Sequence, residues 1–459
     1  MENKLEKRYG LITAITMVVG IVIGSGVFFK AEKILNCTGG NMMIGVAAWV
    51  IGGSVMVTCA YTFANMAAKY EKVNGIVDYA EEMLGSAYGY YAGWFLATMY
   101  YPSMTSVLAW VSGKYICVLL GWDITGGACM AIAGFCLVAS YAVNTLSPVL
   151  AGRFQVSATF IKMIPLVLMA VIGTIKGIGS GMMERNFTQV AIPAEELGGT
   201  GHIMFVAVCA TSFAYEGWII ATSINAELKD ARKNLPRALV IGTAVVMATY
   251  VAYYIGVSGA VENTVMMASG EAGARLAFAE VFSETAGDAL FIFLIVSCLG
   301  SLNGMMLGCV RGFYALGIRN DGPRPEVFKH VDPVIKMPVN SAVMGVLICA
   351  FWLLYLYGSS LAETGWFGPF GFDSSELPIV SIYLFYIPVF VMIMKKETEW
   401  GTFRRFVMPA LSICGSAFML LAGAVSHKRD ALFYLAFFAI VMMAGYFANR
   451  KKGNGNGYD

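Results

Sequence analysis

Charge is what this sequence has least of. Lys and Arg number 31 and Asp and Glu 29 among 459 residues, 13% in all, where a soluble protein carries about a quarter. So little charge rules out a soluble multidomain enzyme, and the apolar content rules out a disordered chain. A net charge of +2 leaves no basic footprint for nucleic acid. The three histidines, His202, His330 and His427, form no pair with metal-ligand spacing, and the ten cysteines contain no CxxC. No Walker motif is present, so nucleotide-driven work has no engine here. No nucleophile–base cluster stands out, so neither a cofactor nor an enzymatic role is expected. The cysteines read mainly as small buried apolar residues, and the nearest approach to a disulfide is a possible but unsupported Cys117–Cys129 pair.

Apolar residues make up 58% of the chain, glycine contributes 51 positions, and the mean hydropathy is +0.68. A spanning helix needs roughly 20 mostly apolar residues. Twelve stretches qualify: 10–36, 41–68, 87–120, 126–144, 153–176, 202–228, 236–260, 287–317, 339–357, 377–394, 403–425 and 432–449. The first is too long for a cleaved leader and lacks a small-residue cleavage site. With the N-terminus cytoplasmic, 22 of the 31 basic residues fall on inner segments and 8 on outer ones, so a multi-pass protein of the cell membrane with both termini cytoplasmic is expected. The remaining basic residue is Lys162. The same subtraction for acids leaves Glu216 as the one carboxylate deep in a span. The 69–86 segment reads as a cytoplasmic connector, helical in part. The 261–286 loop reads as amphipathic, lying on the surface or plugging a vestibule.

Two spans carry interruptions. Span 1 holds Gly20, Gly24, Ser25 and Gly26 in mid-membrane, where glycine costs most to keep helical, although Gly20 and Gly24 also fit close helix packing. Span 6 holds Ser212-Phe213-Ala214-Tyr215-Glu216-Gly217-Trp218 at the same depth. These spans open two successive groups of five, and paired glycine breaks at matching positions point to inverted repeats with a midplane binding site. Unwinding frees N–H groups at one half-helix N-terminus, which attract a carboxylate, and carbonyls nearby, which accept an ammonium. A zwitterionic α-amino acid supplies both charges.

The stretches IGSGVF (23–28), Pro102-Ser103, FAYEGW (213–218), ELKDARKNLPRAL (227–239), SCLGSLNG (297–304), RNDGPRPEVF (319–328) and MPVNS (337–341) make the resemblance specific. The sequence resembles the amino acid–polyamine–organocation superfamily, and within it the bacterial L-type amino acid transporter branch. The resemblance implies an all-α membrane protein of 12 transmembrane helices, with a LeuT-type 5+5 inverted repeat plus two C-terminal helices. It divides the chain into a cytoplasmic tail (1–9), a first repeat (10–176), a second repeat (202–394), spans 11 and 12 (403–449) and a cytoplasmic tail (450–459). It implies that Ser25 and Gly26, beside Gly24, bind the substrate carboxylate. The carbonyls of Val22, Phe213 and Glu216 take the ammonium, Phe213 next to Ala214 serves as a lid, and Leu108 borders the side-chain pocket. The expected partners are amino acids and the lipid bilayer, and no accessory subunit is implied. The 69–86 segment departs from the pattern usual after span 2, and Ile219 replaces an Asn often found after the Trp.

Lys162 lies nine residues beyond Arg153, about 13–14 Å along a helix, too deep for its stem to snorkel to the surface. By the same resemblance it stands where sodium-coupled transporters hold a structural sodium ion, reaching carbonyls around Gly20 and the hydroxyls of Ser297 or Ser301. Exchange without sodium is the implied mode. Glu216 has three readings: a cap on the second half of span 6, a selectivity residue for neutral or cationic side chains, or a proton site. Tyr100, Tyr101, Tyr383 and Tyr386 read as pathway or packing aromatics, and the methionines as packing. Proton-coupled symport and antiport of cationic amino acids or polyamines are the alternatives to exchange.

Overall fold

The computed structural model describes residues 10–70 and 75–450; the 1–9 tail, residues 71–74 of the connector and residues 451–459 lie outside the described part. Among the described residues every regular element is helical. Eleven helices are long and apolar enough to cross a bilayer, and a bent pair supplies the twelfth crossing. In chain order, span 1 is that pair, Leu11–Val22 with Gly26–Cys37. Span 2 is Met42–Lys69, span 3 Ser86–Leu120, span 4 Gly127–Leu146, span 5 Val149–Ser180 and span 6 Thr200–Thr222. Span 7 is Ala231–Ser258, span 8 Glu284–Gly317, span 9 Val339–Leu361, span 10 Leu377–Lys396, span 11 Phe403–His427 and span 12 Arg429–Asn449. The chain is therefore a multi-pass membrane protein. Its outer surface bears exposed Phe135, Leu146, Phe160, Ile175, Leu432 and Phe447, a cover that only lipid matches.

The span boundaries follow local chemistry. Span 2 starts at Asn41, whose side chain accepts from the Ile44 N–H at 3.1 Å, and span 8 at Ser283, which caps Ala286 at 3.2 Å. Spans 5 and 7 begin four or five residues before the positions expected from hydropathy. Arg153 stops the apolar count in one, and Arg232 with Lys233 in the other, while the backbone keeps its helical bonds past the hydrocarbon. Of the connector, Ile76–Leu84 is a helix. In the 261–286 loop, Asn263–Ser269 and Gly273–Val281 are helices. Asn263 is tied to the Gly40 carbonyl at 2.8 Å, and Met266 shares a cavity with Ala31 and Leu35 on the second half of span 1. All ten cysteines are free thiols, Cys117 and Cys129 included.

The expectation of two interior charges needs correction. Lys30, Lys114, Asp78, Glu376 and Glu397 are also buried, alongside Lys162 and Glu216. Depth along a span indicates whether a side chain leaves the hydrocarbon. It does not indicate whether neighbouring helices close over a charge near the end of a span, as they do at Lys30 and Glu376.

Candidate functional site

Both interruptions form. The first half of span 1 ends at Val22, Ile23 adopts an extended conformation, and the helix restarts at Gly26 with a bend of 42°. Span 6 runs as an α-helix from Thr200 to Tyr215, Glu216 is extended, and the chain continues from Trp218 as a 3₁₀-helix. Gly217 at this break has φ +96°, a conformation that suits glycine. The two breaks touch. A Cβ added to Gly26 would lie 2.6 Å from the Cα of Ala214, so only a glycine lets the start of one half-helix meet the end of the other. The N–H groups that open Gly26–Cys37 and the carbonyls that close Thr200–Tyr215 lack intrahelical partners. Their dipoles set a positive end against a negative one.

Between them lies a cavity lined by Ile21, Val22, Gly24, Gly26, Met104, Leu108, Phe213, Glu216, Ser301 and Met305. It has room for about one water molecule, so an amino acid enters only when a wall moves. Of the residues expected here, Val22, Gly24, Gly26, Leu108, Phe213 and Glu216 surround the cavity, and Ala214 packs against Gly26. Ser25 is fully buried beside the Cys298 thiol, and its hydroxyl has no well-formed hydrogen bond among the described residues. The Val22 carbonyl accepts from Tyr250 at 3.0 Å, leaving one of its two lone pairs for an ammonium.

Lys162 is fully buried. Its ammonium donates to the Gly20 carbonyl at 2.5 Å, to the Ile23 carbonyl, and to Ser301 Oγ at 3.3 Å. Ser301 in turn donates to the Ile23 carbonyl at 3.1 Å. Span 5 thus holds the broken segment of span 1 against span 8 through one cation. Ser297 takes no part; its hydroxyl is buried without a hydrogen bond among the described residues. Position decides this. Ser301 lies across from Gly24, where an added Cβ would meet its Oγ at 2.6 Å, and Ser297 lies a turn away.

Glu216 is buried against aromatic hydroxyls. Tyr100 donates to its Oε2 at 2.7 Å and accepts from the Gly217 N–H at 3.3 Å, and the Tyr383 hydroxyl adjoins the same carboxylate. Tyr100 is the last residue of a π-helical turn, Leu96–Tyr100, just before Pro102. Such turns re-aim side chains at functional sites, and this one sets Tyr100 across from the span 6 break. Of the site residues, sequence reasoning left Tyr100 as a pathway or packing aromatic and Met104 and Met305 as packing, and it did not single out Tyr250. The Pro102 that follows the π-helical turn was the one local signal for Tyr100.

Ion pairs and aromatic contacts stand on two sides of the cavity. Toward the face bearing Lys69, that lysine pairs with Glu397 at 2.6 Å and Tyr70 donates to the same carboxylate at 2.7 Å. There Arg319 also pairs with Asp78 and, at 3.0 Å, with Glu81. Phe63 packs on Trp218, Tyr386 and Phe390 beneath. Toward the opposite face, Phe213 lines the cavity with the Lys30 ammonium 5.6 Å from its ring centroid.

The model of the amino acid permease family matches residues 9–446. A serine/threonine exchanger, SteT, of Bacillus subtilis is 29% identical over 427 residues, which is 91% of each chain. Asc-type amino acid transporter 1 of Mus musculus is 29% identical over 260 residues, 55% of this chain and 48% of its own. Large neutral amino acids transporter small subunit 2 of Homo sapiens is 27% identical over 329 residues, 70% of this chain and 59% of its own. Against these mammalian relatives the chain matches only about half of their length.

Proposed function

The chain belongs to the amino acid permease family, and from that premise we propose a secondary exchanger of α-amino acids that works by alternating access without sodium. Amino acid transport is common to the family and these relatives, which are transporters rather than enzymes. The observation that carries the proposal is the meeting of two half-helix ends at Gly26 and Ala214 beside the cavity. One end is suited to a carboxylate and the other to an ammonium. We assign spans 1–5 (10–176) and 6–10 (202–394) to the two repeats, both termini to the cytoplasm and the protein to the cell membrane. The near coextensive exchanger of Bacillus subtilis favours exchange over symport.

Sodium independence is supported by the Lys162 ammonium. It already sits on the carbonyls of Gly20 and Ile23 and on the Ser301 hydroxyl, oxygen donors of the kind that hold a hard cation. Counterflow in proteoliposomes loaded with single amino acids tests the reading. Uptake of labelled substrate is expected only where an exchangeable amino acid is inside, and at an unchanged rate when choline replaces all sodium. Uptake that needs no internal amino acid, or that stops without sodium, refutes it.

Among the described residues Glu216 is the one acidic side chain lining the cavity. It favours substrates whose side chain donates a hydrogen bond or carries positive charge. A Glu216→Gln carbonyl still accepts from Tyr100, so the local fold survives while the negative charge goes. We expect preference to move by about tenfold from cationic toward neutral amino acids, the effect of one altered charged contact. If the residue is instead a proton site, the pH dependence of uptake flattens. Unchanged selectivity and an unchanged pH profile together leave only a helix cap.

A further inference from the structure

Glu376, just before span 10, is buried where three other elements meet. Its Oε1 lies 2.6 Å from the Lys30 ammonium and 2.5 Å from that of Lys33, both on the second half of span 1. Its Oε2 has different partners. It lies 3.0 Å from His427 Nε2, at the end of span 11, and 3.6 Å from the Cys209 thiol of span 6. The three ligand atoms of Cys209, Glu376 and His427 all lie within 4.8 Å of one another. Sequence spacing conceals this set, because His427 stands 51 residues from Glu376 and Cys209 stands 167 residues from it.

Thiolate, imidazole and carboxylate are donors that zinc accepts together, whereas calcium and magnesium take oxygen. Zinc bonds of about 2.3 Å to sulfur and about 2.0–2.2 Å to nitrogen and oxygen place tetrahedral neighbours about 3.4–3.6 Å apart. The observed 3.0 and 3.6 Å are close to that spacing, so small side-chain adjustments seat the ion. Charge permits it as well. Lys30 and Lys33 are balanced by Glu376 and by Asp373, which lies 3.6 Å from Lys33. As the Zn–S bond forms, the Cys209 thiol passes its proton to water, so two incoming charges leave a net gain of one. The Lys33 side chain is 40% exposed and turns to water as that charge arrives. His427, with 11% of its side chain exposed, marks the way in.

We propose that Cys209, Glu376 and His427 form a zinc site on the face opposite Lys69, with a fourth position left to water. Structural zinc sites use four protein ligands; three suit an ion that comes and goes. The lining of the substrate cavity includes none of these three residues, so the site is separate from it. Cys209 lies one helical turn before Phe213, and a metal there fastens span 6 to the start of span 10 and the end of span 11. Zinc arriving at this face is therefore an inhibitor of exchange. That consequence rests on the transport reading, whereas the binding of the ion does not.

The test takes the untagged full-length protein in lipid nanodiscs, strips it with a chelator and dialyses it against zinc alone. One zinc ion per chain is expected. Cys209→Ser and His427→Gln are each expected to weaken binding by about a hundredfold or more, beyond what the outer partners of a metal site carry. Cobalt(II) in place of zinc is expected to add a thiolate-to-metal charge-transfer band that Cys209→Ser lacks. Cys309 and Cys349, buried between spans 8 and 9 with their sulfurs 3.4 Å apart, are the rival thiols, and their joint replacement by serine leaves binding unchanged. In right-side-out proteoliposomes, external zinc slows exchange by the wild type and spares Cys209→Ser. A wild type without the cobalt–thiolate band overturns the proposal, whatever the variants do. So does equal zinc binding by the wild type and either single variant, or a loss that follows Cys309 and Cys349 instead. Exchange indifferent to bound zinc overturns the inhibitory role. Absence of exchange by the wild type removes the transport reading and leaves the binding measurement intact.

Discussion

Replacing Lys162 with alanine is expected to leave a folded, substrate-binding protein whose exchange rate falls by about a hundredfold. Among the described residues the ammonium is the sole buried charge in this cluster, and removing it also removes the cost of taking it out of water. That relief offsets the lost contacts, so stability moves by no more than about 1–3 kcal/mol. The geometry of span 1 is another matter. The carbonyls of Gly20 and Ile23 and the hydroxyl of Ser301 all take the same cation, and hydrogen bonds to charged groups contribute about 1.5–3 kcal/mol each. Without them the break loses its fixed relation to spans 5 and 8, on which a shift between two discrete arrangements depends. The measurements are initial counterflow rate and substrate-induced thermal stabilisation on the same preparation. Wild-type exchange by the variant, or a strictly sodium-dependent wild type, refutes the role given to Lys162.

Gly26→Leu is expected to abolish substrate binding altogether. The added Cβ meets the Ala214 Cα at 2.6 Å and its Cβ at 3.0 Å, backbone and stub atoms that cannot swing aside as the end of a long side chain does. Overpacking of this kind costs about 1–3 kcal/mol where a core can relax. Here relaxation means separating the two half-helix ends that form the site. The leucine also covers the N–H groups that open the second half of span 1, and with them the carboxylate position. No substrate-induced thermal shift should remain, and counterflow should fall to the level of empty liposomes. The companion measurement is competition on the wild type. Amino acid amides and decarboxylated amines are expected to compete poorly, and equal competition by them removes the carboxylate role from this motif.

Composition and local pattern alone determined the class of this protein. Thirteen per cent charge and twelve long apolar stretches admit only a helical membrane protein, because backbone groups in hydrocarbon must pair within their own segment. Glycine clusters in two of those stretches located the breaks, since unwinding there is cheap for reasons internal to each segment. The depth of Lys162 and Glu216 was likewise a matter of counting residues from the nearest charge. What each charge touches was not. Ser301 rather than Ser297 faces Lys162, and Tyr100 and Tyr383 reach Glu216, through packing between spans far apart in sequence. The burial of Lys30 and Glu376 was hidden for the same reason. Each lies near the end of its own span, where a charge ordinarily meets water, and only the 346-residue contact between them, closed over by spans 6 and 11, takes both out of it.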